Sequence, residues 1–275
     1  MESSKIKNIL IAILLFVNLG LLGLLGLIWN DHQQSRENTR QAMESLERVF
    51  ANRGISMEQV DLPENSALMT YGMSRDLTRE QKLVEQVLGT VTVEDQGGNI
   101  MYYYGEKGQA SFRGTGDFEI LFSDGAVTGE EDPAATAKKM LRKMGIQAKI
   151  ATSGQEKDSD TVTATAIYGD SPVMNSQIRF HFAGNELLKI EGQRILDTVQ
   201  TETDTKALDA ATLMTRFLGV LDRSDSVCSE IRSVRNVWLY LPDATGGRLQ
   251  PVCEIQTNGK TFYLNVSTGE EQPVT

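Results

Sequence analysis

The stretch "PVCEIQTNGKTFYLNVSTGE", residues 251–270, is the part of the chain whose structure is easiest to predict. Phe262, Leu264 and Val266 alternate with polar residues. Alternation with a period of two predicts strands that have one buried and one solvated face. Asn258-Gly259 is a pair that favours a tight turn between two such strands. We therefore predict a β-hairpin over these residues, and strands of the same kind elsewhere in the chain.

Three helices are predicted between the strand-forming segments. Thr78 is expected to cap the first helix, with Gln81 completing a capping box and Gly89 ending it. Asp132-Pro133 is expected to open the second helix, which runs to Met144. The third helix is predicted over residues 205–219.

Helices and strands follow one another in a repeating order. Each predicted helix is followed by several strands, and each group of strands contains a turn-forming pair: Asp124-Gly125, Gly184-Asn185 and Asn258-Gly259. A helix that covers the apolar face of an antiparallel sheet is typical of the α+β class. We predict an α+β fold of repeated helix-plus-antiparallel-sheet units, at residues 67–131, 132–200 and 201–275.

An apolar segment near the N-terminus predicts a membrane anchor. Over residues 9–28 the only polar side chain is Asn18, and about 20 helical residues span a bilayer core. A signal peptide is the alternative, but no small-residue cleavage motif follows the segment. With Lys5 and Lys7 before it and Asp31 after it, the N-terminus is expected in the cytoplasm.

The chain is accordingly divided around one predicted transmembrane helix. Residues 1–8 are the predicted cytoplasmic N-terminus, and residues 9–29 are the transmembrane helix. Residues 30–66 are a membrane-proximal helix and linker, and all that follows is expected to be extracytoplasmic. Gly20, Gly23 and Gly26 recur every three residues and form a predicted docking face for a partner's membrane helix. The alternative is that glycine is simply common in membrane helices.

Charge and motif content exclude several classes of function. The net charge of −10 argues against a nucleic-acid partner, which needs a basic surface. His32 and His181 are the only histidines, and the sequence has no GxSxG, HExxH, CxxC or P-loop motif. We predict no catalytic residue, no cofactor and no metal site, and hence no enzyme.

Three stretches resemble a known family. They are "ERVFANRGISMEQVDLPEN" (47–65), "AIYGDSPVMNSQIRFHFAGNELLKIEG" (166–192) and "WLYLPDATGGRLQPVCEIQTNGKTFYLNVSTGE" (238–270). Together with the anchor they resemble the YycI-type and related YycH-type regulatory proteins of Gram-positive bacteria. The middle stretch also resembles PepSY-type units in general.

The resemblance implies a membrane-anchored accessory protein that binds a sensor histidine kinase of a two-component system and modulates its activity. A related accessory membrane protein is a further partner that the resemblance implies. The alternative is a PepSY-like tethered binding module that acts on a secreted peptidase or an envelope component. In that case the anchor is only a tether.

Two further sets of residues have open interpretations. In the C-terminal hairpin, Glu254, Gln256, Tyr263 and Asn265 are expected to point outward and to be accessible to a partner, and an exposed strand edge there would accept another chain's strand. The alternative is that the hairpin merely completes the sheet.

Cys228 and Cys253 are predicted to be exported, where they form a disulfide or remain free, with Cys253 buried.

Overall fold

The computed structural model describes residues 44–57, 60–63, 68–129, 132–156, 159–196, 198–224, 226–244 and 246–274. The chain divides into two compact units, Met1–Glu58 and Gln59–Thr275. The predicted transmembrane helix, with Gly20, Gly23 and Gly26, lies outside the described residues. Within the described ranges, each helix is too short or too polar to cross a bilayer.

The first unit contributes one described helix. Residues 44–52, here called α1, are helical, and the chain turns at Gly54, whose φ of 73° is favourable for glycine. Leu46 and Phe50 are buried, as their spacing predicts. Val49, which directly precedes Phe50, is 47% exposed.

The second unit contains three helices and thirteen strands in its described ranges. The helices are α2 (Leu77–Leu88), α3 (Pro133–Lys143) and α4 (Ala210–Arg223). The strands are β1 (Leu68–Ser74), β2 (Val91–Asp95), β3 (Ile100–Gly105), β4 (Gly108–Arg113), β5 (Asp117–Phe122), β6 (Ala148–Glu156), β7 (Ser159–Tyr168), β8 (Ser171–Ala183), β9 (Glu186–Gln193), β10 (Thr198–Thr205), β11 (Ile231–Pro242), β12 (Gly246–Thr257) and β13 (Thr261–Asn265).

All thirteen strands belong to one sheet. A first strand group pairs antiparallel in the order β2-β3-β4-β5-β9-β8-β7-β6. A second strand group has the order β10-β1-β12-β11, with β13 also paired to β12. The groups are joined by a parallel pairing of β8 with β11, in which Val173 lies opposite Trp238. The 13-residue strand β8 therefore belongs to both groups.

The prediction of an α+β fold built from repeated helix-plus-antiparallel-sheet units is wrong. Within the ranges that the structure describes, strands account for 49% of the residues and helices for 22%, and the sheet curls into a half-barrel. The strands assigned to separate units share one hydrogen-bonded sheet. The reason is that β5 pairs with β9 and β8 pairs with β11, so that the strands continue one another's ladders across the predicted boundaries.

Two helices cover the apolar face of the first strand group. Val84 and Leu88 of α2, and Met140 of α3, pack with strand residues such as Phe112 and Phe180 in one buried cluster. α4 belongs to the second strand group, where the ring of Phe217 meets that of Phe262 at 5.0 Å. The apolar residues of β13 thus face a helix, as the alternation in the hairpin predicts.

Helix boundaries agree only partly with their predicted caps. Asp132 caps α3, with Pro133 in its first turn, and the N–H of Gly89 closes α2 by donating to the carbonyl of Glu85. The start of α2 differs, because Asp76 is its N-cap and accepts from the N–H groups of Thr78 and Arg79. Asp76 precedes the predicted cap by two residues, and Asp and Thr are both suitable caps.

The C-terminal hairpin forms around Asn258-Gly259, but its position in the sheet differs from the prediction. β12 is not an edge strand, since it pairs with β11 on one side and with β1 and β13 on the other. The outer edge of β13 is occupied by the chain itself: the N–H of Asn265 donates to the Glu270 carbonyl, and the N–H of Gln272 donates to that of Tyr263. This edge is therefore closed to a strand from another chain.

Two glycines with positive φ lie on either side of β5, and only the first of them is packed closely against another part of the backbone. Gly116 has a φ of 93°, and a Cβ there would lie 2.4 Å from the carbonyl oxygen of Arg194. Gly125 has a φ of 70° with nothing within 4 Å. We expect Gly125→Ala to lower the free energy of unfolding by about 1 kcal/mol, from the left-handed backbone alone. Gly116→Ala should lower it by about 3 kcal/mol or more, because the clash is added. Urea denaturation of both variants measures the difference, and equal losses would contradict it.

Candidate binding cleft

A cavity lies where the two strand groups meet, and we call it the junction cleft. Its volume is about 410 Å³, within the range of ligand-sized sites. β1, α2, β7 and the segment between β9 and β10 all contribute to its wall. The lining is mainly apolar, with one charged side chain, and includes Met73, Leu83, Met144, Ile167, Tyr168, Arg194 and Leu196.

Three aromatic side chains from three strands meet beside the cleft. The ring centroid of Tyr71 in β1 lies 5.2 Å from that of Tyr168 in β7 and 5.7 Å from that of Trp238 in β11. Tyr168 and Trp238 are also 5.7 Å apart, edge to face. All three are half-buried, so each keeps part of its ring accessible. We call this set the aromatic trio.

Tyr168 belongs to both the trio and the cleft wall. It is the last residue of β7, directly before a turn in which Gly169 has a φ of 60°. Burial, followed by the nearby Tyr71 and Glu202, raises the pKa of the Tyr168 hydroxyl. The hydroxyl therefore stays protonated at neutral pH and can donate a hydrogen bond to a ligand.

The charged side chain in the cleft wall is part of a buried ion network. Glu80 of α2 is fully buried and is shared by two guanidinium groups. Its Oε2 accepts from Nε of Arg75 at 2.8 Å and from Nη2 of Arg194 at 2.7 Å. Its Oε1 accepts from the hydroxyl of Tyr103 at 2.8 Å. One carboxylate on α2 thus holds two chain segments, those of Arg75 and Arg194, and the core strand β3.

Both arginines in this network also contact the first strand group. Arg75 donates to the backbone carbonyls of Asn99 and Phe112. The guanidinium of Arg194 lies over the Phe112 ring at 5.4 Å, and its backbone N–H donates to the Gly116 carbonyl. Burial and the hydrogen bond to Glu80 raise the pKa of Tyr103. The network therefore fixes the position of Arg194 at the cleft wall.

Removing the shared carboxylate should be much more damaging than removing one of its hydrogen-bond donors. We expect Glu80→Gln to lower the free energy of unfolding by about 3–5 kcal/mol, because two buried guanidiniums lose their counter-charge. Tyr103→Phe should lower it by only about 1 kcal/mol. Urea denaturation of the full-length protein tests both values. A loss of about 1 kcal/mol or less in Glu80→Gln would show that the network does not depend on the charge.

A second groove continues from the junction cleft along α3, and we call it the α3 groove. Its volume is about 480 Å³, and it shares Ile146, Gln147, Ile167 and Gly169 with the cleft. Lys138 and Arg142 of α3 line one side, with Leu141 between them. Ala148 and Asp170 complete the lining. The two cavities are thus neighbours that share four lining residues, and Lys138 and Arg142 line the second one.

The hairpin residues that were predicted to contact a partner are less exposed to solvent than expected. Glu254 is fully buried, and its Oε1 accepts from Nε of Arg235 at 3.0 Å and from Nε2 of Gln256 at 2.6 Å. Gln256, Tyr263 and Asn265 are half-buried. Burial, with the nearby Glu254 carboxylate, raises the pKa of Tyr263 to about 12. Glu254 is therefore a structural group within the sheet, and partner binding by the other three stays a prediction.

The two cysteines are free thiols in the structure. Cys228 is half-buried and lies against Thr257, at the end of β12. Cys253 is four residues earlier in the same strand, a distance of about 13 Å. A disulfide needs Cα atoms within about 7 Å of each other. The geometry favours the free-thiol interpretation over the disulfide.

The two thiols should differ in reactivity. Burial raises the pKa of Cys253 to about 12, so its reactive thiolate is negligible at pH 8. We expect iodoacetamide to label Cys228 in the native protein and Cys253 only after unfolding in urea. Mass spectrometry with and without prior reduction checks this. If neither cysteine is labelled in urea without reduction, and both are labelled in urea after reduction, the two cysteines form a disulfide.

Catalytic or metal-binding clusters were not expected, and the described residues contain no group of three or more His, Cys, Asp or Glu side chains suited to a metal ion. His181 lies on β8, and its Nε2 is 3.0 Å from a carboxylate oxygen of Glu191. The hydrogen bond from Lys189 holds the pKa of Glu191 below its usual range. Whether the protein is an enzyme remains a matter of prediction.

The residues of the junction cleft were not singled out from the sequence. Tyr168 and Trp238 fall inside the stretches that resemble the regulatory family, but no periodicity marks them as a pair. Arg75, Glu80 and Arg194 are charged, and because charged residues are mostly exposed, the sequence predicts them at the surface. The available signal was weak: Glu80 stands between two basic residues and near the start of an amphipathic helix.

Comparison with known proteins yields little similarity. No model of a protein family matches the sequence, and the curated proteins contain no match. Among solved structures, the chain is similar to the C-terminal domain of YpeB from Bacillus megaterium, with 11% identity and a TM-score of 0.38 over 74% of this chain and 98% of that domain. YpeB belongs to a PepSY-containing family. The similarity does not support the YycI and YycH part of the resemblance.

Proposed function

We propose that the second unit is a PepSY-like binding module that contacts a partner polypeptide through the junction cleft. The aromatic trio beside the cleft is the observation that carries the proposal. Half-exposed Tyr and Trp side chains are enriched at the energetic centres of protein interfaces, because each ring contributes a large contact area and a polar group. Here three of them converge next to an apolar cavity that an anchoring side chain can enter.

The partner we propose is a secreted peptidase or an envelope component. This placement rests on the apolar residues 9–29, which would tether the module to the cell membrane on its outer side. The junction cleft would then be presented to the exported proteins and the cell wall. The acidic net charge is consistent with a protein partner and not with a nucleic acid.

Modulation of a sensor histidine kinase stays a prediction of the family resemblance. It rests on that resemblance and on the predicted anchor, whose docking face at Gly20, Gly23 and Gly26 lies outside the described residues, and no contact among the described residues favours it. The binding-module proposal includes no reaction, because the aromatic trio and the apolar wall offer contact surface and the hydrogen-bonding groups of Tyr71, Tyr168 and Trp238. Neither of these requires a cofactor.

Site-specific photo-crosslinking in the native host tests the proposal. A photo-reactive phenylalanine analogue replaces Tyr168 in the full-length protein, and the matched control carries it at Val93, which is 41% exposed on β2 at the far edge of the sheet. We expect a partner adduct from position 168 and none of the same partner from position 93. Trp238→Ala should reduce the adduct severalfold, since aromatic anchors dominate such interfaces.

The outcomes separate the candidate functions. A peptidase or an envelope component in the adduct supports the proposal. A sensor kinase captured at position 168 would replace it with the regulatory function that the resemblance implies. Equal adducts from positions 168 and 93, or no adduct from position 168, would show that the junction cleft is not the contact surface.

A further inference from the structure

A basic segment stands out in this acidic protein. Residues 133–155 contain five basic side chains and no aspartate or glutamate, although the whole chain has a net charge of −10. These residues form α3 and most of β6. The five basic residues are Lys138, Lys139, Arg142, Lys143 and Lys149.

Four of these side chains are exposed and lack a partner carboxylate. Lys138, Arg142, Lys143 and Lys149 are exposed, and no carboxylate of the described residues forms a salt bridge with any of them. Elsewhere in the unit, some exposed bases, such as Arg232 and Lys260, do have acidic neighbours. The positive charge along α3 is thus available to a ligand.

Helix stability alone does not account for this pattern. Lys138 and Arg142 are four residues apart, so they are neighbours on the helix surface, and like charges at that spacing are unfavourable. The helix dipole favours basic residues in the last turn, which accounts for Arg142 and Lys143. It does not account for Lys138, one turn earlier, or for Lys149 on β6.

The positive charge borders an apolar depression. Lys138 and Arg142 line the α3 groove directly, and Leu141, Ile146 and Ile167 form its apolar surface. Asp170 is the single carboxylate in the lining. A ligand that suits this groove needs both acidic groups for its rim and apolar groups for its interior.

We infer that the α3 groove binds an acidic polypeptide segment of the partner, with apolar side chains entering the groove and carboxylates meeting Lys138 and Arg142. The inference rests on the proposed function, since the groove continues the junction cleft. Complementary charge raises association rates and selects partners. A flat anionic membrane fits less well, because the site is concave and no large exposed apolar side chain lies on α3 to insert into lipid.

A charge-reversal experiment with a matched control tests the inference. The probe is a fluorescent peptide of alternating Glu and Leu, about ten residues long, which is the reach of an extended segment across such a groove. Its binding to the full-length protein is measured by anisotropy at low and at high salt. The variant is Lys138→Glu with Arg142→Glu, and the control is Lys107→Glu with Arg113→Glu, two exposed bases outside the groove with the same change in net charge.

We expect the groove variant to weaken peptide binding by about tenfold or more, and the control to change it by less than about twofold. High salt should weaken binding to the native protein and have little effect on the groove variant. Lys138→Arg with Arg142→Lys, which keeps both charges, should retain binding. A peptide of alternating Lys and Leu should not bind the groove.

Other results would overturn the inference. They are an absence of binding to the native protein, or an equal loss in the groove variant and the control. Vesicles of phosphatidylcholine with and without phosphatidylglycerol give a second readout. If vesicle binding requires the anionic lipid and is lost in the groove variant, while the peptide does not bind, the basic patch is a membrane-binding surface.

The photo-crosslink at position 168 separates the two proposals. If the groove variant loses peptide binding but the adduct at position 168 never forms, the groove is an acidic-peptide site and the proposed function fails. If the adduct forms equally in the native protein and the groove variant, the proposed function stands and the inference fails.

Discussion

The carboxylate of Glu80 is the point on which the arrangement of the second unit depends. It neutralises Arg75, directly after β1, and Arg194, directly after β9, so it ties both strand groups to α2. Buried ion networks of this kind add little net stability compared with apolar packing, but an incomplete one is strongly unfavourable. The network therefore acts mainly on specificity: arrangements that separate the two guanidiniums from Glu80 leave a charge buried without a partner.

Local features of the fold could be predicted from the sequence, and long-range ones could not. The turn at Asn258-Gly259, the Asp132-Pro133 helix start and the alternation in β13 are encoded in adjacent residues, and all are found. The pairings of β1 with β10 and β12 join segments more than 120 residues apart. No local pattern specifies such a pairing, and this is why the strands were assigned to separate units when they form one sheet.

β10 and the junction cleft show two further limits of sequence interpretation. β10, "TVQTETDT", has few large apolar residues, so its strand character depends on β-branched Thr and Val that an analysis of hydrophobic periodicity undervalues. The aromatic trio beside the cleft combines Tyr71, Tyr168 and Trp238 from three strands. Each is individually an ordinary strand residue, and only the parallel contact of β8 with β11 brings them together. The prediction for Glu254 was wrong for a different reason. Alternation assigns its side chain to the correct face of the strand, but that part of the face is buried.

The short segment that follows β13 has a consequence for how the protein behaves at high concentration. A free strand edge invites another copy to extend the sheet, and repeated addition leads to aggregates. Here the backbone of Glu270 and Gln272 occupies the hydrogen-bonding groups of Asn265 and Tyr263. The segment after β13 thus covers the edge of this hairpin, and an edge covered in this way is not free to pair with a second copy of the chain.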